Sequence, residues 1–419
     1  MRLLVLSQMF PCLRHPTSAI FFANLLRELV RHTERIVVVT PRAYIPRGLR
    51  LLNRRWSRWY LDPGVSEENG LKIVRPHVPM LRGERYLGVN SLLMQASLSG
   101  LFGRIIEEER IGMVLGYNMI PEGIAAVGLA SRFGLPSAFW AIGSDVNDFD
   151  RYNALNRLLS RRCIGSGTTI FAESRALERT IRTLSPAPAD VRTFYKGIDV
   201  GNFADLPPRE EVRKRLDLSQ DRRYILFAGR LIREKGVYDL AEAFAGIAGR
   251  LDDVDLLMTG EETERSGLAE ILKKEGLESR VRFTGIIPYA EIAAYMKASD
   301  LLVLPTWAEG LPNVVMEAMA CGLPVVATDV GGIPEILTDG VTGVSVPPRE
   351  PARLAEAMQR LLGDRRLRSL CADNGRALMR ESFDVRKNAA DLAGMLRETK
   401  ERFMSGLRPE PRPFPGGLA

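Results

Sequence analysis

The sequence predicts an α/β protein made of two doubly wound, Rossmann-like domains, and three observations carry that reading. First, 419 residues are too many for one ordinary core. Second, short β-branched runs alternate with amphipathic stretches along the chain, the pattern of βαβ units with helices on both faces of a parallel sheet. Third, the alternation lapses near residues 200–220, where 203–211 is rich in proline and charge, and then restarts.

In the first half, residues 3–7, 36–40, 112–115, 137–142 and 169–172 read as strands. Residues 20–31, 121–133 and 174–183 read as helices, the last behind a serine cap at Ser174. In the second half the strands are 223–229, 254–259, 281–284, 301–305, 325–328 and 343–346. The helices there are 237–251, 268–275, 289–298, 312–321 and 351–362. The expected organisation is a domain over 1–205, a second over 206–385, and a helix over 386–405 packing back on the first. The proline- and glycine-rich residues 406–419 are expected to be a disordered tail.

Composition narrows the class. Hydrophobic residues make up 46% and charged residues 26%, as in soluble globular proteins. Cys12, Cys163, Cys321 and Cys371 form no CxxC pair, which favours reduced thiols in a cytoplasmic compartment over disulfides or zinc. The apolar N-terminal run is short and soon meets Pro11, so it reads as a buried strand rather than a signal peptide. No run of 18 apolar residues is present, so no membrane-spanning helix is expected. The charge is lopsided: residues 1–200 carry 27 Lys and Arg against 17 Asp and Glu, whereas residues 201–419 carry 31 against 34. A basic first half points to an acidic partner.

Ligands of open parallel sheets bind at the carboxyl ends of the strands, and the chemistry-bearing segments fall there. In Gly229–Arg230–Leu231, followed by Lys235 and Gly236, a glycine lets a ligand approach the backbone, and two cations are spaced to hold a diphosphate. A turn with merely solvated charges has the same spacing. In residues 305–321, Glu309 and Glu317 lie eight apart. Gly310 and Pro312 mark a loop entering a helix whose free N–H groups form an anion site. Carboxylates suit sugar hydroxyls and a ribose diol because each accepts two donors. The apolar neighbours Val314, Val315, Met316 and Met319 argue against an exposed helix.

The run EGLPNVVMEAMACGLPVVATDVGGIPEIL strongly resembles the E-x7-E region of the family 4 retaining glycosyltransferases, which have the two-domain GT-B fold with a cleft between the domains. AGRLIREKG resembles their phosphate-binding segment, and RFTGIIPYAEIAAYMKASDLLVLP the stretch between. The resemblance is dense over 224–362. It implies that Arg230 and Lys235 hold the donor diphosphate, Glu317 the ribose and Glu309 the transferred sugar. Ile286 and Ile287 would meet the base, while Gly229, Gly310, Leu311 and Asn313 would complete the donor site. In the first half, Phe10–Pro11 with Ala19–Ile20–Phe21 resembles the family's first loop. Gly143–Ser144–Asp145 resembles HG-x-D, and Tyr195–Lys196–Gly197–Ile198–Asp199 resembles the frequent NGID segment. Two departures stand out. The acceptor-side histidine of many members is absent, its place falling at Ile142 or Tyr117, and the usual GDG reads Gly260–Glu261–Glu262. The acceptor-side candidates are therefore His15, Ser144 and Asp145.

The resemblance implies transfer of a hexose-type sugar with retention, from a nucleotide sugar to a lipid-linked or saccharide acceptor in surface polysaccharide or glycolipid synthesis. A phosphate oxygen can take the acceptor proton in such a reaction, which suits a chain with three histidines. No cofactor is expected. Asp253 and Asp255 match a metal-binding DxD, but they read as the polar lead-in to a strand, so no metal is expected. Over residues 46–60, Leu49, Leu52, Trp56, Trp59 and Tyr60 share one side of a helical wheel and Arg47, Arg50, Arg54 and Arg58 the other. That is the make-up of a helix lying on an anionic bilayer, here the inner face of the cytoplasmic membrane. A solvated arginine face over a core-packing helix has the same pattern. The rival functions are a nucleotide-sugar epimerase of the same fold, a non-catalytic sugar-binding scaffold and a nucleic-acid-binding protein. The last lacks any recognisable nucleic-acid motif.

Overall fold

The computed structural model describes residues 1–13, 15–45, 63–184 and 189–406. The amphipathic segment 46–60 and the tail beyond 406 lie outside the described residues. The chain divides into two compact units, Met1–Lys196 with Val385–Ala419, and Gly197–Asp384.

The first unit is built on an eight-stranded sheet. Its strands are β1 (Arg2–Leu6), β2 (Arg35–Val39), β4 (Val65–Glu68), β5 (Leu71–Val74), β7 (Met113–Tyr117), β8 (Ser137–Ala141), β9 (Thr169–Ala172) and β10 (Asp190–Thr193). They lie in the order β10-β9-β8-β7-β1-β2-β5-β4, and every pair is parallel except β4 with β5. The short strands β3 (Arg42–Ala43) and β6 (His77–Val78) form a separate parallel pair. A strand covered on both faces is apolar throughout, and Leu3 to Leu6 of β1 are fully buried. Successive side chains feed opposite cores. Leu3 and Val5 meet helix Ile20–Leu29 through Phe22, Leu25 and Leu26, and helix Val385–Met404 through Ala389, Leu392 and Leu396. Leu4 and Leu6 meet helices Leu87–Glu108 and Ile124–Arg132 through Met94, Leu98, Phe102 and Leu129. An ion pair at 2.9 Å between Arg192 and Glu398 adds to the seating of the last helix.

Several elements depart from the sequence reading. Helix Leu87–Glu108 and the hairpin β4–β5 are not anticipated. The helix expected from 121 begins at Ile124, because Ile120 is extended and an irregular turn precedes it.

The second unit carries β11 (Arg223–Ala228), β12 (Val254–Thr259), β13 (Val281–Gly285), β14 (Leu301–Leu304), β15 (Val325–Thr328) and β16 (Val344–Val346). They are parallel throughout, in the order β13-β12-β11-β14-β15-β16. Helix Val237–Ala248 packs against Pro351–Gly363, and helix Asn313–Cys321 against Arg365–Ser382. Residues 197–203 stay with this unit: the Ile198 N–H donates to Phe383 O at 2.8 Å, and the turn Val200–Phe203 packs on helix Asn313–Cys321. The strand order reverses between β11 and β14, which is where open parallel sheets place their ligands.

Candidate functional site

The loops leaving β11 and β14 are neighbours at that reversal, and they carry Arg230, Lys235 and Glu309. Gly229 N donates to Thr259 O at 3.0 Å, continuing the strand pairing, and the chain then turns at Arg230. Arg230 is exposed, and among the described residues its guanidinium has no protein partner. The single turn Arg233–Lys235 follows and ends at Gly236, which adopts φ +67°. A Cβ at Gly236 would come within 1.9 Å of Pro305 O, so only glycine lets the two loops meet here.

The loops are also stitched directly. Trp307 N donates to Glu234 O at 2.9 Å, and the Thr328 hydroxyl donates to Thr306 O at 2.6 Å. These bonds bring the Lys235 ammonium onto the Glu309 carboxylate as a largely buried ion pair. The sequence reading gives these two side chains separate ligands and does not anticipate that they hold each other. The loop after β15 supports Glu309 from behind. Gly332 N donates to Gly310 O at 2.8 Å, and Gly331, at φ +58°, lies so close that a Cβ would fall 1.9 Å from Glu309 O. Gly331→Ala is therefore expected to cost more than about 1 kcal/mol of stability and to displace Glu309. Parallel thermal melts and turnover assays of that variant check both effects.

Helix Asn313–Cys321 starts at Pro312, which precedes rather than opens it, and no side chain caps that start. The backbone N–H groups of Asn313 and its neighbours are thus available to an anion. Gly310 is partly exposed and Leu311 is buried between Glu309 and the helix. Glu317 projects from the helix interior and is 4% exposed. Its Oε1 has no hydrogen-bond partner. Burial, partly opposed by the nearby Tyr289 hydroxyl, pushes its carboxyl up to about 8. Ile286 is exposed and Ile287 partly so, directly after β13. The arrangement offers two cations, a helix start and two acids at one sheet edge, a chemistry suited to a diphosphate bearing hydroxylated groups. Asp253 and Asp255 lie away from this edge, at the amino end of β12, and pair with Arg223 and Arg222.

The carboxyl edge of the first unit holds the other candidates. Asp145 is buried and accepts from Met119 N at 2.6 Å and Ile142 N at 3.1 Å, tying together the loops after β7 and β8. Burial raises its carboxyl to about 6 despite those bonds. Ser144 opens the short helix Ser144–Asn147. His15 is exposed, in a turn where its N–H donates to Cys12 O at 3.0 Å. The structure does not bring His15 together with Asp145 through any bond among those described.

The sequence reading does not anticipate a buried cluster there. The Lys196 ammonium lies 2.5 Å from Glu173 and donates to the Tyr117 hydroxyl at 3.0 Å, while Phe22 stacks on the Tyr117 ring at 3.9 Å. Glu122 is also buried, accepts from Gln8 N at 3.0 Å and is raised to about 7 by burial. These residues come from four strand ends, and no local spacing links them.

Residues 208–378 match the family model "Glycosyl transferases group 1". Over 394 residues the chain is 27% identical to TuaC of Bacillus subtilis (strain 168), named as a teichuronic acid biosynthesis glycosyltransferase, covering 94% of this chain and 97% of that protein. It is 35% identical over 214 residues to alpha-D-kanosaminyltransferase of Streptomyces kanamyceticus, covering 51% of this chain and 55% of that one. Among solved structures, sucrose-phosphate synthase from Thermosynechococcus elongatus superposes with a TM-score of 0.78 at 21% identity, covering 95% of this chain and 98% of that one. Anabaena HepE, solved with UDP and glucose, superposes with a TM-score of 0.72 at 19% identity, covering 95% and 100%. The structural likenesses establish the GT-B fold, and the sequence matches support a glycosyltransferase acting in biosynthesis of the polysaccharide type.

Proposed function

We propose that this protein is a retaining glycosyltransferase that moves a hexose-type sugar from a nucleotide-sugar donor to a lipid-linked or saccharide acceptor in cell-surface polysaccharide or glycolipid synthesis. The observation that carries the reading is the convergence of Arg230, the Lys235–Glu309 pair and the uncapped helix start at the β11/β14 reversal. Departure of a nucleoside diphosphate builds negative charge on its leaving oxygen and positive character on the sugar. Arg230, Lys235 and the helix N–H groups face the first need. Glu309 then exchanges its bond to Lys235 for sugar hydroxyls. Glu317 takes the ribose, and the backbone at Ile286 and Ile287 takes the base.

A donor phosphate oxygen accepts the proton in place of a protein base, and Arg230, Lys235 and the helix N–H groups neutralise the diphosphate where a metal otherwise would, so the reaction is expected to need no metal or cofactor. Turnover is expected to survive EDTA; complete loss restored by manganese would contradict this. A thermal-shift panel of UDP-, GDP- and ADP-sugars tests the donor site directly. At least one should raise the midpoint by several degrees, and that shift should vanish in Arg230→Ala. No shift with any of them would count against the assignment. Residues 46–60 place it on the inner face of the cytoplasmic membrane, because their arginine and tryptophan faces fit an anionic surface. Among the described residues no helix is long and apolar enough to cross a membrane. Flotation with anionic liposomes should be lost when Trp56 and Trp59 are both replaced by alanine.

A further inference from the structure

We infer that Trp307, through its hydrogen bond to Asp239, is the positioning residue that holds Glu309 against Lys235. The inference rests on the glycosyl-transfer reading for the role of those two side chains, but the bracing itself stands on geometry alone.

Glu309 sits in the loop from 305 to 312 that joins β14 to helix Asn313–Cys321. A functional side chain on a loop keeps its place only if neighbouring side chains are themselves locked. The first part of this loop is locked by backbone: Trp307 N on Glu234 O, and Thr306 O under the Thr328 hydroxyl. Glu309 lies two residues further on. At the root of the loop the Thr306 hydroxyl lies 3.3 Å from Glu234 O and 3.1 Å from Ala308 O. Beyond Thr306, the side-chain tie to the β11 side among the described residues, apart from Glu309 itself, is the indole. Trp307 Nε1 donates to Asp239 Oδ2 at 2.7 Å.

Asp239 belongs to the first turn of helix Val237–Ala248, which starts immediately after Gly236 and hence two residues after Lys235. Lys235 and the indole anchor are therefore referred to the same helix start, and the loop carrying Glu309 is fixed relative to Lys235 by a short, charge-assisted bond. The indole is also held from one face. The Arg349 guanidinium lies 4.3 Å from its ring centroid, on a residue with φ +62°. Trp307 is only half-buried, so filling the core does not by itself account for a large ring here. With one face covered by Arg349 and its N–H committed to Asp239, the ring braces the loop rather than offering a surface to a ligand.

The test uses the full chain and the variants Trp307→Phe, Asp239→Ala, Asp239→Asn and the double change Trp307→Phe with Asp239→Ala. Hydrogen exchange at the amides of 306–311 is read without any substrate. Turnover is then read with whichever of UDP-, GDP- or ADP-glucose raises the thermal midpoint most. Trp307→Phe and Asp239→Ala should each speed exchange at 306–311 and lower kcat about tenfold, with KM little changed. The double variant should be no worse than either single, because one bond is removed twice. Asp239→Asn, whose amide oxygen still accepts the indole N–H, should behave like the wild type. Unchanged exchange at 306–311 in Trp307→Phe overturns the inference, as do fully additive losses in the double variant or failure of Asp239→Asn to rescue. Should Lys235→Ala keep full turnover, the glycosyl-transfer reading fails instead, and the exchange measurement still decides whether the indole braces the loop.

Discussion

Replacing Arg230 by alanine is expected to lower turnover by about 10²–10³-fold while leaving the thermal midpoint nearly unchanged. The guanidinium is exposed and has no protein partner among the described residues, so its loss leaves no buried group stranded. Whatever it does, it does for a ligand. Lys235→Ala should lose turnover to a similar degree, but with a different signature. Lys235 neutralises Glu309, whose side chain is only 15% exposed. Removing the ammonium strands that carboxylate, so this variant should melt earlier as well. Lys235→Ala combined with Glu309→Gln should regain the stability without regaining the activity. Steady-state rates beside thermal melts of the three variants separate the two roles. Equal rates for Arg230→Ala and the wild type would remove the main support for a donor diphosphate at this edge.

How much of this was legible in the sequence depends on how local each signal is. Most strands of the second unit are legible as apolar runs ending in a glycine, a proline or a charged turn, as at 223–229, although β12 and β13 carry Asp255 and Arg282 within the run. Glu309, Pro312 and Glu317 are legible as a loop entering a helix because they lie within nine residues of one another. What brings Glu309 to Lys235 is not local: Gly236 meets Pro305, Gly331 meets Glu309, and Glu234 meets Trp307, across separations of about 20 to 70 positions. A glycine's need for left-handed backbone is invisible until the partner loop is in view.

In the first unit, helix Leu87–Glu108 escapes because the buried Gly88, Asn90 and Ser91 dilute its apolar face. Yet Ser91, Met94, Leu98, Phe102 and Ile105 are all buried at helical spacing. The Asn69–Gly70 turn between β4 and β5 is a strong hairpin signal, but it stands apart from the βαβ alternation around it. Lys196 and Tyr117 fall in recognisable segments, but their meeting with Glu173 is not legible, since a buried ion pair between separate strand ends has no sequence spacing.

The second large effect concerns pH. Glu317 is held protonated by burial, with its carboxyl raised from about 4.5 to about 8. In the unfolded chain it ionises near 4.5, so between pH 4.5 and 8 unfolding releases a proton that the folded state retains. Stability from this group is therefore complete below pH 4.5, declines as pH rises, and levels off above 8. Glu317→Gln keeps the neutral shape and removes the titration. It should match the wild type near pH 4 and exceed it by a few kcal/mol at pH 8.5, as read from denaturant melts at the two pH values. A bound donor reverses part of this. If the ribose hydroxyls donate to both carboxylate oxygens, including the unpartnered Oε1, binding favours the ionised form. Donor affinity of the wild type should then rise with pH up to about 8, whereas that of Glu317→Gln should stay flat. An identical pH dependence of stability in the two proteins would mean that Glu317 is ionised in the fold, and its burial beside Tyr289 would need another partner.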